Sequence, residues 1–343
     1  MRMICHPESP TSANSQWLEK DLLVEAKRKI PTEKFLTPLL VRTTRQVNVC
    51  FMKFLNHGIQ WWRRSVFLLR KPRNTTTIES FDTPPTGNSV TISIAVSARN
   101  GMPYLEECIA SILRAGEGLD AVVHYADACS SDASVDCARR LLGDDQVNVE
   151  EDEGWGDAIN RIFSKSTGDI FGAIGADDML APDSLMHVSR AFAENPGARW
   201  AIGLYEIIDE QNRPIRRFHC AYKNFAIRHF RRPWLMAENI IPNVSFFIRR
   251  DFREEVGEML LERETLANDY DYFIRCAKRA RPLIIPHVLG RWRYHRTSQS
   301  GRNMHRMSRD AWKVCRSHTR NPIYLAANAL CSLRNALLFD KVG

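Results

Sequence analysis

Asp177 and Asp178 stand side by side behind the apolar run Gly172-Ala173-Ile174. Two carboxylates at the mouth of a buried strand repel each other, a cost normally offset by a hard divalent cation or a basic partner. A cation that also holds a diphosphate gives such a pair a purpose. The competing explanation is a helix start, because Asp178 and Asp183 flank Pro182 and the helix dipole favours carboxylates there. Spacing alone leaves both open. A second polar loop, Asp127-Ala128-Cys129-Ser130-Ser131-Asp132, is built of small and hydrogen-bond-accepting side chains. A third segment, Arg291 to Gly301, is dense in donors and ends in a polar stretch. It is either a solvated basic loop or a flap that closes over a diphosphate, with Arg293 as a bidentate clamp and His295 as a phosphate or metal contact.

The elements around these residues alternate. Val90 to Val96 is β-branched and is broken by Arg99-Asn100-Gly101, so it reads as a strand and a loop. Tyr104 to Leu113 places Leu105, Ile109, Ile112 and Leu113 at helical spacing, and Ala121 to Tyr125 is a second strand. A helix over Ser134 to Leu142, a short strand at Gln146 to Glu150, a helix over Asp157 to Ser164 and a strand at Asp169 to Ile174 continue the pattern. Repeated βα alternation predicts an α/β domain with a mainly parallel, Rossmann-like sheet flanked by helices. Ligands of such sheets sit at the carboxyl ends of the strands, where Asp127, Asp177 and Asp178 fall.

The chain has 343 residues, 44% of them hydrophobic, and a net charge of +8. This length and composition exclude disorder and disulfide-dependent miniproteins. The charge is segmented: residues 1 to 88 net +7, residues 89 to 200 net −11, and residues 201 to 343 net +12. An acidic centre argues against nucleic acid as a partner. Nine cysteines without a CxxC pair suit a reducing, cytoplasmic compartment. The first residues lack the apolar run expected of a secretory signal, and no window reaches roughly 18 apolar residues, so membrane contact is expected to be peripheral. Arg42 to Arg73 carries eight basic and no acidic residues among Trp61, Trp62, Phe67 and Leu68. It reads equally as an interfacial helix on anionic lipid and as a helix packed on the domain. Residues 74 to 89 form a turn-rich linker, and Pro322 to Phe339 reads as a second amphipathic helix. Phosphate-loop, dinucleotide and nucleophile-elbow signatures are absent.

Four segments in order resemble the family 2 glycosyltransferases, enzymes of the nucleotide-sugar-dependent GT-A fold. They are "ISIAVSARNGMPYLEECIASIL" at Ile92 to Leu113, "DACSSDAS" at Asp127 to Ser134, "EDEGWGDAINRIFSKSTGDIFGAIGADDMLAP" at Glu151 to Pro182, and "NDYDYFIRCAKRARPLIIPHVLGRWRYHRTSQSG" at Asn268 to Gly301. The resemblance implies that Ser97, Arg99 and Asn100 line the nucleoside pocket and that Asp127 binds the base. It implies Asp157, with Asn160 beside it, at the nucleotide or donor sugar; a first-turn helix carboxylate is the alternative for Asp157. It implies Asp178 as ligand of Mg²⁺ or Mn²⁺, Asp177 at the ribose or a metal-bound water, and Asp269 as the base that deprotonates the acceptor hydroxyl. Two positions depart from the family pattern: Gly175 and Asn268 stand where acidic residues are usual. Asp271, two residues from Asp269, points to another face and reads as a partner of Arg275.

The resulting expectation is an inverting glycosyltransferase that moves a sugar from a nucleotide-diphosphate donor, UDP-linked by family frequency, to a hydroxyl of a glycan or polyprenyl-linked acceptor in cell-surface polysaccharide assembly. Its domains would be a basic extension at residues 1 to 88, a GT-A domain at 89 to 301, and a helical extension at 302 to 343. The rivals are a degenerate, non-catalytic nucleotide-sugar-binding scaffold and a sugar nucleotidyltransferase.

Overall fold

The computed structural model describes residues 90–261 and 264–339. The basic segment Arg42 to Arg73 and the linker before the first strand lie outside the described residues, as do the side chains of Leu337 and Leu338.

The predicted alternation is present. Strand β1 (Ile92–Ala98) is followed by α1 (Leu105–Ala115), β2 (Ala121–Asp127), α2 (Ser134–Leu142), β3 (Val147–Val149), α3 (Trp155–Lys165) and β4 (Ile170–Gly175). Strands β1 to β4 form the parallel part of the sheet, in the order β3-β2-β1-β4. Side chains along β1 alternate between two cores, as the two-residue period of a strand requires. Ile92, Ile94 and Val96 pack with Leu105, Ile109 and Ile112 of α1 on one face, while Ala95 joins Ile159 and Phe163 of α3 on the other. A sheet covered by helices on both sides explains why these strands are almost continuously apolar.

Beyond β4 the sheet becomes mixed. The next elements are β5 (Met179–Leu180), α4 (Ser184–Glu194), β6 (Trp200–Ile208), β7 (Pro214–Ile215), α5 (Arg217–Arg228), α6 (Arg232–Ala237), β8 (Phe246–Arg249) and α7 (Arg250–Val256). Helix α8 (Asn268–Arg279), strand β9 (Leu283–Arg293) and helices α9 (Gln299–His318) and α10 (Pro322–Phe339) complete the described chain. Strand β8 runs antiparallel to both β4 and β6, and β6 runs parallel to β9.

Two registers position the site. Ser97 lies opposite Ala126 and Gly175, and Ala98 opposite Asp127, so β1, β2 and β4 end at one level. Strand β5 pairs with the end of β9, Met179 opposite Arg291. That antiparallel pairing folds the turn after β4 back against Arg293.

Helix α10 does not separate polar from apolar residues as the expected amphipathic helix would: it exposes Ile323, Leu330 and Leu333 and buries Asn328. No helix among the described residues is long and apolar enough to cross a membrane.

Candidate active site

The carboxylate pair occupies the turn between β4 and β5, which excludes the helix-start explanation: α4 begins only at Ser184. The two acids have different surroundings. Asp178 is 7% exposed and accepts the Arg293 backbone N–H on Oδ1 at 2.8 Å. Burial first, and the charge of Asp177 second, push its carboxyl well above the usual carboxylate range. The Asp177 side chain is one-third exposed and meets His295, Oδ2 to Nε2, at 3.0 Å. Thr297 Oγ1 lies 2.8 Å from Nδ1 of the same ring, and Tyr104 packs against it with ring centroids 4.8 Å apart. Of the pair, Asp177 is the more exposed, and His295, at 8%, is as enclosed as Asp178.

Gly175 belongs to the same arrangement. A Cβ built at this position would stand 2.8 Å from Asp177 Oδ1 and 3.3 Å from Asp178 Oδ2. The carboxylate of Asp177 thus leans over the space that a side chain at 175 would occupy, so the departure at Gly175 is coupled to the pose of Asp177.

The flap expectation for Arg293 is corrected. Its side chain is fully buried. Nε donates to the Asp177 carbonyl at 2.7 Å, Nη1 to Asn212 Oδ1 at 2.7 Å, and Nη2 to Glu107 Oε2 at 2.8 Å. The guanidinium sits 4.6 Å from the centroid of the Tyr104 ring. Its donors are directed to the protein, so it braces the Asp177–Asp178 turn from behind and has no face left for a diphosphate. Neither Glu107 nor Asn212 carries a motif that would have revealed this brace from sequence.

The loops after β1 and β2 are tied together. Asn100, at φ 56°, donates its N–H to Ser130 Oγ at 2.7 Å and accepts the Ser131 N–H on Oδ1 at 2.9 Å. Arg99 is exposed beside it. Cys129 also adopts a left-handed φ of 55°. Asp127 is 1% exposed and accepts from Tyr125 Oη at 2.6 Å, Ser130 N at 2.6 Å and Ser130 Oγ at 2.8 Å. Ser97 is buried at the end of β1. Ser97, Arg99, Asn100 and Asp127 thus lie at one sheet edge next to Gly175.

Asp157 is drawn elsewhere. It accepts the Glu153 N–H at 3.0 Å and pairs with Arg161, Oδ2 to Nη2, at 2.5 Å. That is the arrangement of a first-turn helix carboxylate. Asn160 clamps the backbone of Met259 through both side-chain atoms at 2.9 Å, so it too is structural.

Asp269 stands at the start of α8. It accepts the Tyr270 N–H on Oδ1 at 2.6 Å and Asn239 Nδ2 on Oδ2 at 3.1 Å. Burial dominates these stabilising contacts and raises its carboxyl to about 6. Asn268, in place of the family's acid, ties its side chain to the Leu260 carbonyl at 3.2 Å. Asp271 pairs with Arg275 at 2.7 Å, as its spacing suggested, and with His318 of α9 at 2.7 Å.

A cavity of about 290 Å³ joins the Asp177–Asp178 turn to the start of α8; Ser97, Asn100, Asp127 and His295 are not among its lining residues. Gly175, Asp177 and Asp178 line one part of it, Asp269 and Asn239 another, and Trp155 and Trp292 contribute aromatic wall. Lys223, Glu238, Asn328 and Asn335 also line it. Sequence reasoning missed these four, because α5, α6 and α10 carry no spacing pattern that points inward at them.

Among the described residues no group of three or more His, Cys, Asp or Glu side chains is arranged to hold a metal ion. An oxygen and an imidazole donor, Asp177 Oδ2 and His295 Nε2, do converge within 3.0 Å. Two such donors suit Mg²⁺ or Mn²⁺ when a diphosphate and water fill the other positions.

Residues 93–256 match the family described as glycosyl transferase family 2. Among solved structures, the mannosyltransferase PcManGT of Pyrobaculum calidifontis in complex with GDP-Man and Mn²⁺ is similar at 18% identity and TM-score 0.55, over 83% of this chain and 82% of that one. TarS 1-349 of S. aureus in complex with UDP-GlcNAc is similar at 12% identity and TM-score 0.52, over 74% of each chain. These likenesses show the GT-A fold. No curated protein matches the chain significantly.

Proposed function

From the premise that residues 93–256 make this chain a family 2 glycosyltransferase, we infer that it transfers a sugar from a nucleotide-diphosphate donor to an acceptor hydroxyl with inversion at the anomeric carbon. The observation that carries this reading is one cavity walled by both Asp177 and Asp269. The first is a part-exposed carboxylate that meets His295, an oxygen and an imidazole suited to a cation and diphosphate. The second is a carboxylate whose affinity for a proton is tuned to about pH 6, where a general base is effective near neutrality.

The roles follow from the surroundings of each group. Ser97, Asn100 and Asp127 form the nucleoside end, with the Asn100–Ser130 and Asn100–Ser131 bonds keeping the two loops at fixed separation. Asp177 and His295 would hold the cation, and Asp178 with Arg293 keeps their turn in place. When bound, Mg²⁺ or Mn²⁺ supplies charge neutralisation for the departing diphosphate. Asp269 removes the proton from the acceptor hydroxyl as the oxygen attacks the anomeric carbon opposite the leaving group. Asn239 fixes the carboxylate through Oδ2.

The acceptor is a glycan hydroxyl, free or lipid-linked, and the reaction belongs to polysaccharide assembly at the cytoplasmic side of a membrane. The +12 net charge of residues 201 to 343 supports attraction to anionic lipid carriers. A non-catalytic scaffold is disfavoured because Asp178 and Asp269 are both retained.

Thermal unfolding of the full chain with UDP, GDP, dTDP and CMP, each with and without Mn²⁺, tests the reading. A ligand that binds only the folded state raises the melting temperature by mass action. Selective, cation-dependent stabilisation is the expected result, and its absence for every nucleotide at millimolar concentration removes the donor assignment.

A further inference from the structure

The cavity extends past Asp269 to a polar end walled by α10, a helix outside the family-matched residues. Its centre is Glu238, 3% exposed. One carboxylate oxygen, Oε1, takes three donors: Lys223 Nζ at 3.0 Å, Arg334 Nη2 at 2.6 Å and Asn335 Nδ2 at 3.1 Å. The other oxygen, Oε2, is buried and has no hydrogen-bond partner among the described residues. Asn328, 1% exposed, repeats the pattern. Its Nδ2 donates to Tyr270 Oη at 3.1 Å and to the Ala237 carbonyl at 3.3 Å, while Oδ1 has no partner. The Nε of Arg334 is a buried donor in the same condition. Buried polar atoms without partners are rare, and each calls for an explanation. Here two of them, Glu238 Oε2 and Asn328 Oδ1, belong to residues that line one cavity.

We propose that this end of the cavity is the subsite for a neutral, hydroxyl-bearing sugar, the terminal residue of the acceptor, recognised through Glu238 and Asn328. The inference rests on the transferase reading above. The chemistry follows from which atoms lack partners. Both are oxygens that need a hydrogen donor. A neutral sugar hydroxyl supplies one through its O–H. A phosphate or carboxylate offers only acceptors and would set its charge against Glu238 Oε2. The two cations do not present themselves for an anion either. Lys223 is turned onto Glu238 and the Asn239 carbonyl, the latter at 2.6 Å, and Arg334 onto Glu238 and Asn335. Trp155 and Trp292 line the same cavity, and flat aromatic rings provide apolar surface for a pyranose. Asn239 links the subsite to the base, because its carbonyl receives Lys223 and its Nδ2 donates to Asp269. A sugar seated on Glu238 would thus be positioned against the same loop that orients the proton acceptor.

Saturation-transfer NMR on the full chain, with UDP or GDP and Mn²⁺ present, tests this with methyl glycosides of glucose, galactose, mannose and N-acetylglucosamine beside glucuronic acid and glucose 6-phosphate. A neutral glycoside should receive saturation and the two anions should not. Glu238→Gln replaces one of the two oxygens with an amide donor and should weaken that glycoside by about tenfold, the loss of one hydrogen bond to a charged group, with the nucleotide-induced melting shift unchanged. If Glu238→Gln disturbs folding and loses the nucleotide shift as well, Ser332→Phe decides, since Ser332 lines the cavity from α10 and itself makes none of the bonds to Glu238. Preference for the anionic sugars, silence from every neutral one, or undiminished binding in the well-folded variants overturns the subsite. Failure of the wild-type chain to bind any nucleotide overturns the transferase reading instead.

Discussion

Two carboxylate regions share one cavity and are built differently. In the turn after β4, Asp178 is enclosed, accepts the Arg293 backbone N–H and is pushed well above the usual carboxylate range by burial and by its neighbour Asp177, while Asp177 is part-exposed and meets His295. At the start of α8, Asp269 takes the Tyr270 N–H and the Asn239 amide. Burial raises the proton affinity of Asp178 and Asp269 alike. The difference lies in the neighbours: a second carboxylate and an imidazole in the first region suit a cation, and an amide with a backbone N–H in the second leaves a lone carboxylate free to take up a proton and release it. Residue type is the same in both, and the partners decide the chemistry.

The most severe way to break this contrast is at Asp269. Asp269→Asn keeps shape and removes the base, so transfer should fall by about 10²–10⁴-fold, the usual worth of general base catalysis. Nucleotide affinity measured by calorimetry should stay the same, and parallel loss of both would make Asp269 structural. The pH dependence has a definite sign. The active carboxylate form exists above its raised value of about 6 and is lost as pH falls through it. The transfer rate should therefore drop about tenfold per pH unit below that point. Because the folded state binds this proton more tightly than the unfolded chain, ionised Asp269 opposes folding above pH 6. Asp269→Asn should accordingly melt no lower than wild type at pH 8.

Arg293 is the next test, now of the turn after β4. Arg293→Met should destabilise the protein by about 2–4 kcal/mol, because it leaves the Asp177 carbonyl and Asn212 without their donor in a buried place. Urea unfolding reads the loss directly. Had Arg293 been a diphosphate clamp on a mobile flap, stability would be nearly unchanged and nucleotide affinity alone would fall.

Asp177→Asn probes the same region at its exposed edge. Nucleotide affinity in Mn²⁺ should weaken by about tenfold or more, while affinity without the cation stays as it was, since a neutral amide is a poor ligand for a hard ion. An unchanged Mn²⁺ dependence would return the metal to Asp178.

How far these roles could be seen in advance depended on whether neighbours in sequence or neighbours in space defined them. The strand–helix alternation of residues 90 to 175, the position of Asp127 at a strand end, and the Asp271–Arg275 pair all follow from local spacing, and the structure contains them. The difference in exposure between Asp177 and Asp178 does not. It is set by the pairing of β5 with β9, which delivers Arg293 and His295 from more than a hundred residues away. The buried brace of Arg293 likewise needs Glu107 and Asn212 from unrelated segments. The same holds for Glu238, whose partners Lys223 and Arg334 sit on α5 and α10. A solvated basic segment and a buried guanidinium look alike in one dimension.

The smallest effect is expected at Asp157, and it sharpens the contrast by adding a carboxylate that belongs to neither region. Its oxygens go to Arg161 one turn on and to the Glu153 N–H, an arrangement that stabilises the beginning of α3. Asp157→Asn keeps an oxygen for the N–H and removes the charge that serves Arg161 and the helix dipole, worth about 0.5–1 kcal/mol together at a partly exposed helix start. The melting temperature should fall slightly, and the fall should shrink in high salt. Nucleotide affinity and transfer rate should not change. A loss of donor binding at unaltered stability would place Asp157 at the donor after all, and would mean that the Arg161 pair opens when the sugar nucleotide arrives.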